Sequence, residues 1–355
     1  MARKLKLMKN SSGAMSTIWK TTLAAALCAA ACSQPSLAQM PPPPTILQVD
    51  VENLVEYYED VSDVSKFATN LSVTPAVLPK NFNFRVGIGD IVAVNGHPAK
   101  GTITRNNRQV SLNTAPSPGQ ALADTVRGAV HADTLEILNS DGTPIGTIMS
   151  YGLGLGSRAP GAPLSITQAN LAIVGGTGAF LGVRGQWGQA VTPQTIAVRQ
   201  ASITEDPANR RLNGGGRVRF VLEVIPMYAA QIVTMSSGPA VFHGTDFSPV
   251  TAAKPAKAGE VLIVMATGLG PTRPGVDPGQ PFPSFPASPL QAINSPVDAT
   301  VNGLSAAVFN TFGWPGLVDT YRVDVRVPDG VTTGLAALQL SAAWIGGPSV
   351  NIPIQ

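Results

Sequence analysis

The sequence predicts an all-β protein, an eight-stranded antiparallel β-barrel followed by a β-sandwich, on three observations. The chain holds 36 glycines and 31 prolines without a repeat period, which fits short strands joined by many turns. Apolar and polar residues alternate in segment after segment, the two-residue period of a strand with one buried face. The stretch Ala172–Gln186, AIVGGTGAFLGVRGQ, runs a buried-strand pattern into a glycine turn and straight out into a second strand. Its 355 residues, 44% of them apolar, suffice for two domains with a core each.

The first element is a leader. Arg3, Lys4, Lys6, Lys9 and Lys20 form a basic region, Thr21–Ala31 is an apolar run of 11 residues, and Ser36-Leu37-Ala38 sets small residues where a signal peptidase reads. The run is too short for a bilayer, which takes roughly 20 apolar residues. Residues 1–38 therefore read as a secretory signal peptide cleaved after Ala38, with a periplasmic or extracellular mature protein. Both cysteines, Cys28 and Cys32, lie inside this leader, so the mature chain is expected to carry no disulfide and no thiol chemistry. A lipoprotein anchored at Cys32 is the less favoured alternative, because Ala29 stands where that processing prefers Leu. Cleavage also removes 5 of the 24 basic residues and no acid, which leaves 19 against 21 and turns a net charge of +3 into −2. Nothing in the remainder clusters Lys or Arg into a nucleic-acid footprint.

Pro41–Pro44 is an extended spacer ahead of the first strand. Nine strand candidates follow, at Leu47–Tyr58, Phe82–Val94, Thr102–Leu112, Thr125–Leu138, Ile145–Leu153, Leu164–Val174, Phe180–Val191, Ile196–Thr204 and Arg217–Ile225. Turn signals such as Asn95-Gly96, Asp141-Gly142 and Asn213–Gly216 separate them. In the last candidate Val218, Phe220, Leu222 and Val224 alternate with Arg217, Arg219 and Glu223, so one face is buried and one is wet. A closed eight-stranded barrel removes exposed edges and leaves an interior filled by side chains or by one small ligand.

The glycine turn does not read as a phosphate cradle, which needs a helix next; Phe180–Gly188 alternates as a strand. With the GGTGxF turn, the Arg184-Gly185 pair, Met149-Ser150-Tyr151 after Asp141-Gly142, and the ending Arg219–Val224, residues Val126–Ile225 resemble the allene oxide cyclase and dirigent-like barrel superfamily. The resemblance implies a ligand-holding barrel over residues 39–226. In dirigent-like members charged cavity groups steer reactive intermediates, and in the cyclases an apolar cavity holds a fatty-acid epoxide. This chain has Ala179 and Leu181 where such members carry acids.

After Pro226 the composition shifts toward Pro, Ala and Gly, and strands are expected at Glu260–Thr267, Val297–Val301, Tyr321–Val327 and Ala336–Ala343. Gly259–Leu262, Ala266–Thr272, Pro289-Leu290 and Tyr321–Pro328 are similar to an immunoglobulin-like module at the C-termini of secreted bacterial proteins. Residues 227–355 are read as that sandwich.

Candidates for chemistry are few. Arg127, His131 and Asp133 share one strand face, and a His beside an Asp is an oriented acid-base pair if that face lines a lumen. The bland alternative is an outward polar face. Arg184 is the fourth catalytic candidate, and Tyr151 and Phe180 are the ligand-binding ones. Tyr57 and Tyr58 serve equally as phenols at a lumen mouth or as strand packing. Glu56, Glu59, Asp60 and Asp63 read as a solvated acidic turn, since an EF-hand's glycine and final glutamate are missing. With only His97, His131 and His243 in the chain, no metal and no cofactor are expected. No G-x-S-x-G elbow marks a hydrolase.

Three functions remain open: a secreted barrel that binds a small apolar or aromatic molecule, with the sandwich as spacer or docking module; an isomerase or cyclase of the allene oxide cyclase kind; and a structural or adhesive surface protein. Expected partners are that ligand and, as an open option, further copies of the chain, but neither nucleic acid nor a transmembrane helix.

Overall fold

The computed structural model describes residues 44–60, 82–111, 127–153, 168–284 and 289–355. Strands β1 (Thr45–Asp60), β2 (Phe82–Val94), β3 (Lys100–Ser111), β4 (Arg127–Leu138), β5 (Pro144–Leu153), β6 (Gln168–Gly178) and β7 (Arg184–Ala190) follow one another as antiparallel neighbours. A short β8 (Arg199–Ser202) lies parallel to the end of β1, and β9 (Gly216–Ile225) pairs with both β7 and β1. That last pairing closes eight antiparallel strands into a barrel. Among the described residues the helical structure is one turn of 3-10 helix at Pro207–Asn209, and no helix is long and apolar enough to cross a membrane.

The expected strands are present, most of them with shifted ends, and the glycine hairpin is displaced. Gly175, Gly176 and Gly178 are not the turn but the end of β6, and the reversal is made by Ala179–Val183. Gly176 is required by close approach: a Cβ there would stand 2.4 Å from the Phe180 carbonyl oxygen and 2.6 Å from that of Thr147. The positive φ values sit at Gly178 (63°) and Gly182 (75°) instead. The turn folds Phe180 inward, where it is fully buried against Ile145 and Val183, and leaves Leu181 outside.

Inward residues at this end of the barrel are uniformly apolar. Leu47, Val49, Ile91, Ile103, Leu135, Ile137, Ile148, Leu222 and Val224 belong to one buried cluster, which also takes in Ala343 and Ile345 of the C-terminal domain. Asn139 donates to the Asn294 carbonyl at 2.8 Å, and Asn294 donates back to the Pro144 carbonyl. This end is closed like a core.

The C-terminal domain is one curled sheet wrapped round its own core, consistent with a sandwich. On one side β11 (Val261–Thr267), after a short β10 (Val241–His243), pairs with β14 (Tyr321–Arg326), which pairs with β13 (Leu304–Gly313). On the other, β12 (Val297–Val301) joins β13 to β15 (Gly334–Ala342) and β15 pairs with β16 (Val350–Ile354). Leu262, Val264, Val323, Val325, Leu338, Leu340 and Ile352 fill the space between. Strands β10, β13 and β16 were not anticipated: Val241–His243 is only three residues long, Leu304–Gly313 alternates poorly, and Pro353 interrupts the last strand.

Candidate functional site

The opposite end of the barrel interior is polar, and a bulge in β1 makes it so. Leu47, Val49 and Val51 point inward at odd positions. An irregularity between Val51 and Leu54, with Asn53 at φ 52°, then hands the inward face to Leu54, Glu56 and Tyr58. Outside the barrel the bulge is held by Asp90, which accepts from Asn53, Arg210 and Arg211, while Arg210 also donates to the Asn53 carbonyl at 3.0 Å. Burial alone would raise the Asp90 carboxyl, but these donors outweigh it and hold the group well below the ordinary carboxylate range.

Register then assembles two inward rows. Tyr58, Arg85, Asn107 and His131 are neighbours across β1 to β4, and Glu56, Gly87, Arg105, Asp133 and Ser150 form the next row across β1 to β5. Arg105 is the centre. It reaches Asp133 Oδ2 at 3.4 Å, Glu56 Oε1 at 3.5 Å and His131 Nδ1 at 3.3 Å, and its guanidinium lies 5.6 Å from the centre of the Phe220 ring. Gly87 permits this span, since a Cβ there would already stand 3.1 Å from that of Arg105. Arg85 donates to Glu56 Oε2 at 3.0 Å and to the Tyr58 hydroxyl at 2.8 Å, and Tyr58 donates to the same glutamate oxygen at 3.1 Å.

These contacts fix protonation. Burial raises the Glu56 carboxyl, but Arg85, Arg105 and the Tyr58 hydroxyl more than offset it, so Glu56 stays below its usual range and ionised. Burial, and then the Glu56 charge, push the Tyr58 phenol up, so it remains a donor. Arginine can only donate, so Nδ1 of His131 accepts and the ring proton is assigned to Nε2.

The sequence-predicted residues divide. His131 and Asp133 face inward and are buried, 5% and 1% exposed, so the outward alternative does not hold for them. They are not hydrogen-bonded to each other: His131 Nδ1 and Asp133 Oδ2 stand 3.8 Å apart, and Arg105 from the neighbouring strand takes the nitrogen instead. Arg127 begins β4, and its side chain lies outside the described residues. Arg184 is on the outer surface, donating to the Val183 carbonyl at 2.9 Å, and Tyr151 is also outside at 56% exposed. Phe180 belongs to the apolar end. The acidic run is corrected at Glu56, which is a buried strand residue and not part of a solvated turn, while Asp63 lies outside the described residues. His97 is exposed on the β2–β3 hairpin, and His243 binds Glu260 at 2.6 Å in the C-terminal domain, so the three histidines lie apart.

Sequence reasoning missed Arg85, Arg105 and Asn107. Continuing the alternation from Ile103 would have placed Arg105 and Asn107 inside. The most informative atoms carry no partner. Both side-chain atoms of Asn107, Asp133 Oδ1, Ser150 Oγ and Arg85 Nε are buried without a hydrogen bond, and Asn107 is 0% exposed. A buried polar atom left unpaired costs about 1–3 kcal/mol, and five of the nine such side-chain atoms among the described residues lie on this one wall.

No family model, curated protein or solved structure matches the chain. The case for a function rests on the chemistry of this wall.

Proposed function

We propose that the barrel binds a small molecule with an apolar or aromatic body and a polar head, in a protein exported by its leader and carrying an immunoglobulin-like module as spacer or docking element. The observation that carries this reading is the set of unpaired buried atoms on Arg85, Asn107, Asp133 and Ser150. An apolar floor with a few convergent polar groups is the usual make-up of a small-molecule site. Strand closure and the β6–β7 hairpin are consistent with the allene oxide cyclase and dirigent-like resemblance, and export is supported by the leader's composition alone. Fluorescence displacement on the full-length chain with fatty-acid, terpenoid and phenolic probes tests binding. No binder up to about 1 mM, a binding free energy near −4 kcal/mol, would transfer the assignment to a structural role.

A second reading, an isomerase or cyclase, is favoured by one specific feature: His131 presents Nε2–H on the same wall as Arg105 and Asp133. With a binder in hand, His131→Gln separates the two. Turnover lost with affinity kept identifies an enzyme, and affinity changed without any turnover identifies a carrier.

A further inference from the structure

We infer that the head group taken by this wall is neutral and offers a donor beside an acceptor, as a carboxamide or lactam does, and is neither a carboxylate nor an amine. The inference rests on the small-molecule reading above and narrows it to a ligand class.

Charge comes first. Two arginines, Arg85 and Arg105, face two carboxylates, Glu56 and Asp133, and each arginine is within salt-bridge distance of at least one of them. The arginine and carboxylate charges of the wall are thus matched two against two before any ligand arrives. An anionic or cationic head would have to be desolvated without a counter-charge, which is costly in such a setting.

Hydrogen-bond polarity comes second. Asn107 Oδ1 and Asp133 Oδ1 are unpaired acceptors, Asn107 Nδ2 and Arg85 Nε are unpaired donors, and Ser150 Oγ can do either. A carboxylate brings acceptors only and would leave both oxygens unpaired, one of them facing a like charge. An ammonium brings donors only and strands the Asn107 amide nitrogen and Arg85. A carboxamide complements Asn107 atom for atom, N–H to Oδ1 and C=O to Nδ2, and its second N–H is free for Asp133. A hydroxyl satisfies fewer of these atoms.

The test is calorimetric titration of the full-length chain with four probes that share one body: 2-naphthamide, 2-naphthoate, 2-naphthol and 2-naphthylmethylamine. The amide is expected to bind at least about tenfold more tightly than each of the others, and Asn107→Leu should erase that margin. Thermal melting of unliganded Asn107→Leu is expected to be unchanged or higher, which shows that the variant folds. Should it fail to fold, the smaller change Asn107→Ala is expected to erase the margin in the same way, and a margin it leaves intact overturns the assignment. Naphthoate, naphthol or the amine binding as tightly as the amide overturns the head-group assignment and leaves small-molecule binding standing. A margin that survives Asn107→Leu overturns it too. No binding by any probe up to about 1 mM overturns the inference together with the reading beneath it.

Discussion

The two ends of the barrel are built from one closed antiparallel sheet, yet they are filled by opposite rules. At the end facing the C-terminal domain, Phe180, Val183, Ile145 and Val224 are buried among apolar neighbours, and Ala343 and Ile345 join them from outside the barrel. At the other end, the same inward positions carry Glu56, Arg85, Arg105, Asn107, His131 and Asp133. The first arrangement gains roughly 1.5–3 kcal/mol for each large side chain removed from water. The second gains little net stability, because the attraction of buried ion pairs is largely offset by desolvation. A fold would not need the second arrangement to be stable, and that difference is the reason to read it as a site.

The largest expected effect tests whether the polar end holds itself together. Arg105→Met leaves Glu56 and Asp133 without the cation they share and should cost about 3–5 kcal/mol in urea unfolding. A loss under about 1 kcal/mol would show that Arg105 is a solvated charge and not the centre of the network. At the apolar end, Gly176→Val drives a branched side chain toward the carbonyls of Thr147 and Phe180 and should cost about 1–3 kcal/mol. An unchanged melting temperature would mean that the strands yield freely there.

Acid should distinguish the ends next. Glu56 has a folded value below its ordinary 4.5, so its contribution is complete above that pH and is lost as pH falls through the lower folded value. Glu56→Gln should therefore lower stability at neutral pH, where the Glu56 contribution is complete, and flatten the fall in stability below about pH 4.5. An acid limb identical in both proteins would assign the acid sensitivity to other carboxylates, such as the outer Asp90. The smallest effect is expected at Asn107. Asn107→Leu removes two unpaired buried atoms and should change stability by no more than about 1 kcal/mol, in the stabilising direction. A large destabilisation would show that Asn107 has a structural partner, and the contrast between the ends would weaken.

Much of the fold was legible because alternation is a local signal. Phe82–Val94 was bounded correctly from its own residues, and β9 showed its buried face in Val218, Phe220, Leu222 and Val224. The hairpin misled because three glycines look like a turn, although Gly176 is needed for packing against β5 and the chain reverses four residues later. A smaller part of the site was legible too. His131 and Asp133 were singled out by spacing, but spacing cannot choose between inside and outside, and Glu56 was assigned to water because its run of acidic neighbours hid the bulge that turns it inward.

The sequence by itself determined the class of structure, the eight-stranded barrel and the charge-poor, turn-rich character of the chain. These follow from composition and from a two-residue period that each segment carries alone. Tertiary structure decided which polar residues meet. Glu56, Arg85, Arg105, Asp133 and Ser150 come from five strands spread over 95 positions. Their proximity depends on barrel closure, inter-strand register and one bulge held by Asp90 from outside. Register is a relation between strands and leaves no mark within any one of them, so the site became visible only when the barrel closed.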